Sequence, residues 1–374
     1  MRREVLSAAL RHMMIRINVK EVDMEMKVWF VESAFSGRVI LGRRAEDYLA
    51  AEFAAFDCER VKCAEECDFS DDALHAVIPL DMPLITAEDV ERGAEYVRKH
   101  GLGTLSLGGS GSGAKIVRAA EGRKGYFLTS PHFVKADSAK NLSLVYNQMK
   151  ERIIGRLLAS GVTVTDPSNT VVDDTVSIMP GAEILPFCRI EGATRIESGA
   201  RIEGAYLKDS VIGRGARIVM SYLTDTRVGE GSEVGPFARL RGAEIGAGCR
   251  VGDFVEIKNS AFGDGAKSAH LAYIGDAEVG ARTNVGCGTV FCNYDGRRKH
   301  RTSVGEDCFI GANVNLVAPV SVGDGAFVAA GTTVTDDVGD GAFVIGRSRQ
   351  TAKRRREPDG EGGADKTDKT RTEK

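Results

Sequence analysis

Aliphatic residues recur at every sixth position through the second half of this chain. The first series is Val172, Ile178, Ile184, Ile190, Ile196 and Ile202. Shortened steps carry the series on to Ile257, and a second unbroken series runs from Val304 to Val334. A helix would repeat at 3.6 residues and a simple strand at 2, whereas a period of six is the hexapeptide signature of a parallel β-helix.

Each hexapeptide of such a fold makes one short strand, and small residues let the chain turn a corner before the next strand. Three strands make one triangular coil, so the series predicts about nine coils with one aliphatic side chain of each strand on the axis. Stacked coils bury a continuous apolar column, whose stabilisation is largely offset by chain entropy. The 44 glycines fit this interpretation. A glycine-rich β-sandwich is disfavoured, because its strands would alternate at two.

Two places break the period and are therefore candidates for chemistry. One spans residues 263–273 and brings His270 and Tyr273 into an otherwise plain sequence. The other is CNYDGRRKHRTS, residues 292–303, which separates Phe291 from Val304 by thirteen residues instead of six. About seven extra residues must project from the coil there, and loops on a rigid scaffold often carry function.

Composition excludes several classes of function. The net charge of −3 offers no basic footprint for a nucleic acid, and no run of eighteen apolar residues is present to span a membrane. The first twenty residues lack the apolar stretch of a secretion signal. The eight cysteines show no paired spacing for disulfides or structural zinc, so we expect a reduced, cytoplasmic protein.

Motifs more specific than the repeat lie in VGPFARLRGAEIGAGCRVGDFVEIKNSAFGDGAKSAHLAYIGDAEVG, followed by TNVGCGTVFCNYDGRRKH. They resemble the acetyltransferase half of the bacterial bifunctional enzyme that joins a glucosamine-1-phosphate N-acetyltransferase to an N-acetylglucosamine-1-phosphate uridyltransferase. The resemblance runs from about residue 145 to residue 350. It implies a left-handed β-helix that forms a homotrimer with active sites between subunits. It also implies acetyl transfer from acetyl-CoA to glucosamine-1-phosphate, for UDP-N-acetylglucosamine and cell-wall synthesis.

The same resemblance assigns residues to roles. Acetyl transfer to a sugar amine needs a base that removes a proton, and histidine titrates in the appropriate range. By resemblance this base is His270, with Glu256 near enough to orient it or to stabilise charge. Arg241, Lys258 and Lys299 are the cations that offer charge-assisted hydrogen bonds to the sugar phosphate. Matching sugar contacts are Tyr273 and Asn284, and matching acetyl-CoA contacts are Cys287, Asn293, Tyr294, Ala312, Ala330 and Arg347.

Two of the acetyl-CoA positions depart from the family pattern. Cys287 stands where alanine is usual, and Ala312 stands where serine is usual. Loss of one hydroxyl contact is expected to weaken acetyl-CoA binding by about 0.5–1.5 kcal/mol without abolishing the chemistry.

The N-terminal part resembles a truncated α/β sugar nucleotidyltransferase. In AVIPLDMPLITAEDVERGAEYV, Asp81 follows a strand where that fold binds Mg²⁺, and Asp137 falls by register at a second metal position. NLSLVYNQMKERIIGRLLASGVTVTDP resembles the helical arm between the two domains. The expected domains are 1–140 (nucleotidyltransferase-like), 141–165 (helical linker), 166–350 (β-helix) and 351–374 (charged, disordered tail).

The glycine-rich, basic loop that cradles a nucleoside triphosphate is not recognisable in this N-terminal part. The first glycine of the chain is Gly37, and nothing resembling L-x-x-G-x-G-T-x-M occurs. We therefore expect that uridyl transfer is lost, and that Mg²⁺ binds only if this domain is active.

Three other functions are considered. A hexapeptide acyltransferase for another amino sugar would use the same fold with a different acceptor. A β-helix carbonic anhydrase needs three histidine ligands, and the repeat region offers His270 and His300 alone. A non-catalytic β-helix scaffold is disfavoured, because drift would be expected to remove charged site residues that contribute little to folding.

Overall fold

The computed structural model describes residues 26–71, 73–108, 111–118 and 125–352. Within these ranges the fold class expected from the sequence is confirmed: a left-handed parallel β-helix follows a small α/β domain. The expected domain limits remain a prediction, and residues 353–374 of the expected tail lie outside the described residues. In the described ranges, no helix is both long and apolar enough to cross a membrane.

A mixed sheet of six strands forms the centre of the α/β domain. Across the sheet the strands are Asp57–Val61, Met26–Val31, Leu74–Pro79, Lys115–Arg118, Thr104–Leu107 and Tyr126–Leu128. The other elements are the ribbon of Val39–Ile40 and Arg43–Arg44, the helices Ala45–Glu52 and Ala87–His100, and the 3₁₀ turn Ala64–Glu66. The second helix begins at Thr86, whose hydroxyl accepts from the Asp89 N–H at 3.2 Å, and ends at the left-handed Gly101.

Three parallel sheets close the second domain into a triangular prism, with ten, nine and eleven strands on faces 1, 2 and 3. Face 1 holds Val171–Val172, Arg189–Glu191, Tyr206–Lys208, Tyr222–Thr224, Arg239–Arg241, Glu256–Lys258, Tyr273–Gly275, Val290–Cys292, Asn315–Val317 and Thr333–Val334. Face 2 holds Ser177–Ile178, Arg195–Ile196, Val211–Ile212, Arg227–Val228, Glu244–Ile245, Ala261–Phe262, Ala277–Val279, Thr302–Val304 and Val320–Val322. Face 3 holds Thr163–Val164, Glu183–Ile184, Arg201–Glu203, Arg217–Val219, Glu233–Val234, Arg250–Asp253, Lys267–His270, Asn284–Val285, Phe309–Ile310, Phe327–Val328 and Phe343–Val344.

The aliphatic series predicted from the sequence forms the core of the prism. Ile184, Ile190, Ile196 and Ile202 have no solvent-accessible surface, and they lie on the three faces in turn. Along face 1 the inward column continues in register as Ile190, Leu207, Leu223, Leu240 and Ile257. The residues beside them on the same strands point outward, so each face carries rows of exposed side chains one coil apart.

Glycine at the corners is required by the close stacking of the coils. Gly286 follows the Asn284–Val285 strand, and a Cβ at this position would lie 2.6 Å from the carbonyl carbon of Gly311 in the next coil. The approach at Gly252, inside the Arg250–Asp253 strand, is closer, at 2.0 Å from the Ala269 carbonyl oxygen. Any side chain at these two positions would force the coils apart, which explains why glycine occupies them.

A third helix, Ala139–Ala159, joins the two domains and packs on the first coils. Val145 and Met149 of this helix belong to the same buried cluster as Val172 and Ile178 of the prism. Ile40, from the ribbon of the α/β domain, lies in that cluster as well. The ribbon side of the α/β domain therefore packs into the core of the prism through the helix, while the six-stranded sheet has a buried cluster of its own.

An ion-paired carboxylate, Asp174, fixes this junction. Its side chain is 3% exposed and pairs with Arg43 of the ribbon at 2.9 Å and with Arg156 of the joining helix. The Asp174 N–H donates to the Leu41 carbonyl at 2.9 Å. One residue of the prism thus contacts both preceding elements, which holds the α/β domain against the base of the β-helix.

Candidate functional site

Three cationic side chains gather at the outer edge of face 1. Arg241 and Lys258 lie opposite each other in adjacent coils, each as the last residue of its strand. The neighbouring Lys299 ammonium is the main cause that lowers the pKa of Lys258, and repulsion from Arg241 adds to it. Two ammonium groups held together in this way favour an anion between them.

The projecting loop brings Lys299 to this position because it folds as a small hairpin. Tyr294 and Lys299 form an antiparallel bridge. The carboxylate of Asp295 accepts the backbone N–H groups of Arg298 at 2.6 Å and Arg297 at 2.7 Å, and it contacts His300 Nε2 at 2.8 Å. These bonds lower the pKa of Asp295 to about 2, with the Arg298 N–H as the main cause. Asp295 therefore anchors the hairpin in its ionised form.

Glu256 lies in the same part of face 1, but its carboxylate is paired with the Arg241 guanidinium. Each of these two side chains is about one third exposed, at 31% and 33%. The Arg241 Nε–H is buried and has no hydrogen-bond partner among the described residues. The ion pair with Glu256 thus fixes the orientation of the Arg241 guanidinium.

Tyr273 stands opposite Glu256 in the next coil and joins a polar network with the start of the hairpin. The Asn293 side-chain amide donates to the Asp276 carboxylate at 2.6 Å and lies 3.4 Å from the Tyr273 hydroxyl. Asn259 donates to the other oxygen of Asp276 at 3.3 Å. Asp276, which directly follows the Tyr273–Gly275 strand, was not among the site residues predicted from the sequence.

His270 ends a strand of face 3, immediately before the corner that leads to Tyr273 on face 1. Its ring is 59% exposed, and its Nδ1 lies 3.8 Å from the carboxylate of Asp253, the residue opposite it in the preceding coil. Asp253 was also missed from the sequence. The sequence did contain a signal for this contact. In this region residues seventeen positions apart lie opposite each other in adjacent coils, as Arg241 and Lys258 do, and Asp253 and His270 have the same spacing.

The expected acetyl-CoA positions fall in two places. Cys287, Ala312, Ala330 and Arg347 succeed one another along the corner between faces 3 and 1, one coil apart. Backbone bonds link them: Asn313 N–H to the Cys287 carbonyl and Gly331 N–H to the Ala312 carbonyl, both at 2.8 Å. The Arg347 guanidinium donates to the Ala330 carbonyl at 2.6 Å.

The other expected acetyl-CoA positions, Asn293 and Tyr294, belong to the hairpin at the far edge of face 1. Asn284, an expected sugar contact, lies on face 3 three residues before Cys287. In one chain, the corner and the hairpin are therefore separated by the width of face 1.

A line of exposed apolar residues runs along the same corner below His270. This apolar ridge consists of Phe187, Met220, Phe237, Phe254 and Leu271, which are 49% to 72% exposed. All five residues have positive φ angles, between 40° and 63°, a conformation that bulky side chains rarely adopt. The rings of Phe237 and Phe254 stack with centroids 5.4 Å apart.

The expected metal residues lie in the α/β domain, far along the sequence from these groups. The Asp81 carboxylate is 3% exposed and accepts from the Ser33 hydroxyl at 2.6 Å, while its other oxygen is buried without a partner among the described residues. Asp137 accepts from the Asn141 amide at 2.9 Å. No group of three or more His, Cys, Asp or Glu side chains in the described ranges could hold a metal ion. The loss of uridyl transfer stays a prediction.

Comparison with known proteins confirms the resemblance. Residues 301–336 match the family described as hexapeptide repeat of succinyl-transferase. The bifunctional protein GlmU of Thermoanaerobacter pseudethanolicus is 42% identical over 242 residues, 64% of this chain and 53% of that protein. GlmU of Nostoc sp. is 44% identical over 214 residues, 57% of this chain and 48% of that protein.

Among solved structures, the UDP-N-acetylglucosamine acyltransferase of Francisella novicida is 18% identical with a TM-score of 0.31, over 46% of this chain and 62% of that chain. The chain spans about half the length of the curated relatives it matches.

Proposed function

We propose that this chain transfers the acetyl group of acetyl-CoA to the amine of glucosamine-1-phosphate and so forms N-acetylglucosamine-1-phosphate for UDP-N-acetylglucosamine synthesis. One observation carries the proposal: Lys258, Lys299 and Arg241 meet at the far edge of face 1, and His270 lies at the corner on the other edge of the same face. The similarity to the GlmU proteins supports the choice of acceptor.

The cation cluster suits a phosphate monoester. Lys258 and Lys299 repel each other without an anion, since the pKa of Lys258 is lowered by its neighbour. The Arg241 guanidinium, opposite Lys258 in the preceding coil, adds a third positive charge. A phosphate dianion placed among the three would relieve the repulsion and accept charge-assisted hydrogen bonds. A neutral sugar would leave the repulsion in place, so the cluster selects a phosphorylated acceptor.

His270 then acts as the general base. The amine nitrogen attacks the thioester carbonyl carbon, the C–N bond forms, and the C–S bond breaks to release the CoA thiolate. The amine must lose a proton in this step, and the His270 ring accepts it. Tyr273, the first residue of the next strand, is the proposed contact to the sugar.

The corner from Cys287 to Arg347 is the proposed site for acetyl-CoA. Its four positions span three coil steps, about 14 Å at the usual strand spacing of about 4.8 Å. This length suits an extended pantetheine arm. The small side chains of Ala312 and Ala330 leave the corner open for it.

A homotrimer would complete the site. The apolar ridge exposes five apolar side chains in strained backbone conformations, and such surfaces mark protein–protein contacts. If the ridge packs against further copies of the chain, the hairpin of one subunit can reach the corner of its neighbour. The mass in solution tests this assembly, since a trimer has three times the 40.1 kDa of one chain.

A thiol-release assay with acetyl-CoA and glucosamine-1-phosphate tests the activity. We expect release that requires both substrates, with N-acetylglucosamine-1-phosphate identified by mass spectrometry. Turnover with another amino sugar, in the absence of any with glucosamine-1-phosphate, would replace this proposal by an acyltransferase of different acceptor specificity.

A further inference from the structure

We propose that Asp253 is a positioning residue for the base: its carboxylate holds the His270 ring with Nδ1 toward it and stabilises the imidazolium formed during acetyl transfer. The inference rests on the proposed function of His270. It gives a role to a side chain that the family resemblance did not assign.

The contact is built into the stacking of the coils. Asp253 and His270 are opposite residues at the ends of adjacent parallel strands. The Leu271 N–H donates to the Asp253 carbonyl at 2.8 Å, which fixes the backbone of both residues at the corner. The two backbones therefore bring the Asp253 carboxylate and His270 Nδ1 to the same corner, where they lie 3.8 Å apart.

The other charged groups around His270 lie elsewhere on the strands or are paired with different residues. Arg250 and Lys267 occupy the opposite ends of the same two strands, and in the next coil the neutral Asn284 lies opposite Lys267. Across the corner, Glu256 is engaged by Arg241. Among the described residues, Asp253 supplies the carboxylate that lies 3.8 Å from the His270 ring.

This arrangement selects one ring nitrogen for the chemistry. A carboxylate beside Nδ1 favours the tautomer with the proton on that nitrogen, so Nε2 is free to accept the proton of the amine. The imidazolium that results carries a positive charge next to the carboxylate. Opposite unit charges at about 4 Å attract each other modestly in water and several times more strongly once water is excluded.

The substitution Asp253→Asn tests the proposal, because it keeps the shape and removes the charge. We expect kcat to fall about 5- to 50-fold and KM for glucosamine-1-phosphate to change less than about twofold. The acid limb of the pH–rate profile should move to lower pH, since a carboxylate favours the protonated ring and its loss lets the proton leave sooner. Asp253→Glu should restore part of the rate.

Glu233→Gln is the matched control, since it also removes one negative charge from face 3. Glu233 lies one strand farther from His270 than Asp253 does. The control substitution should leave both kcat and the pH profile unchanged. If Asp253→Asn keeps the wild-type acid limb, or if the control moves it equally, the role of Asp253 is refuted.

Proton NMR separates this inference from the proposed function. The His270 ring signal is identified by its loss in His270→Ala, and its titration midpoint is compared between the wild type and Asp253→Asn. A lower midpoint in the variant supports the contact even if glucosamine-1-phosphate is not the acceptor. Equal midpoints overturn it even if the wild type transfers acetyl groups.

Discussion

Removal of the Lys299 ammonium is the sharpest test of the phosphate site. In Lys299→Ala, one hydrogen bond from a charged donor to the phosphate is lost, which corresponds to a rise in KM of about 10- to 100-fold. The structure places the result in the lower half of this range. Arg241 and Lys258 remain in the variant to bind the phosphate, and Lys258 no longer has Lys299 as a repelling neighbour.

The assay compares two acceptors in the same variant. With glucosamine-1-phosphate, KM should rise as stated while kcat falls by less than about threefold, because the base is untouched. With unphosphorylated glucosamine, kcat/KM should not change. Arg297→Ala is the matched control, since it removes a positive charge from the same hairpin but keeps the backbone N–H that Asp295 binds. An unchanged KM for glucosamine-1-phosphate in Lys299→Ala, or an equal rise in Arg297→Ala, would refute the phosphate site.

Three further substitutions test other parts of the molecule. Asp295→Ala should raise KM for glucosamine-1-phosphate severalfold at unchanged thermal stability. In the wild type, the ionised Asp295 carboxylate orders the hairpin fully above the ordinary pKa of an aspartate, and this order is lost as pH falls through about 2. Hydrogen exchange of the hairpin amides measures the loss. Ala312→Ser should lower KM for acetyl-CoA about 2- to 10-fold by adding a hydroxyl contact, and an unchanged value would remove Ala312 from that site. Asp174→Asn should lower the melting temperature by a few degrees, because it breaks the ion pairs with Arg43 and Arg156. Acetyl transfer by the folded variant should be unchanged. An unaltered melting temperature would contradict the role of Asp174 at the junction.

The β-helix could be predicted from the sequence because its period is a direct record of its geometry. Each sixth residue of the first series points inward and is buried, with at most 7% of its surface exposed. The number of coils was slightly underestimated. The strands Thr163–Val164 and Phe343–Val344 extend face 3 at its two ends, beyond the aliphatic series that began at Val172 and ended at Val334.

The site was less accessible from the sequence, since it depends on contacts between coils and on the conformation of one hairpin. The proximity of Arg241 to Lys258 follows from the coil length of seventeen residues. The same coil length predicts that Asp253 lies beside His270. The meeting of Lys258 with Lys299 could not be derived in this way. It requires the hairpin to fold back, and the carboxylate of Asp295 determines this through backbone bonds that no sequence pattern records.

The central claim is that an imidazole and a cluster of cations, brought to adjoining faces by the β-helix, serve a single acceptor. The kinetics of His270→Ala with acetyl-CoA and glucosamine-1-phosphate measure this most directly. The account predicts a fall in kcat of about 10²- to 10⁴-fold, with KM for glucosamine-1-phosphate within about threefold of the wild type. Full acetyl transfer by the variant would contradict it.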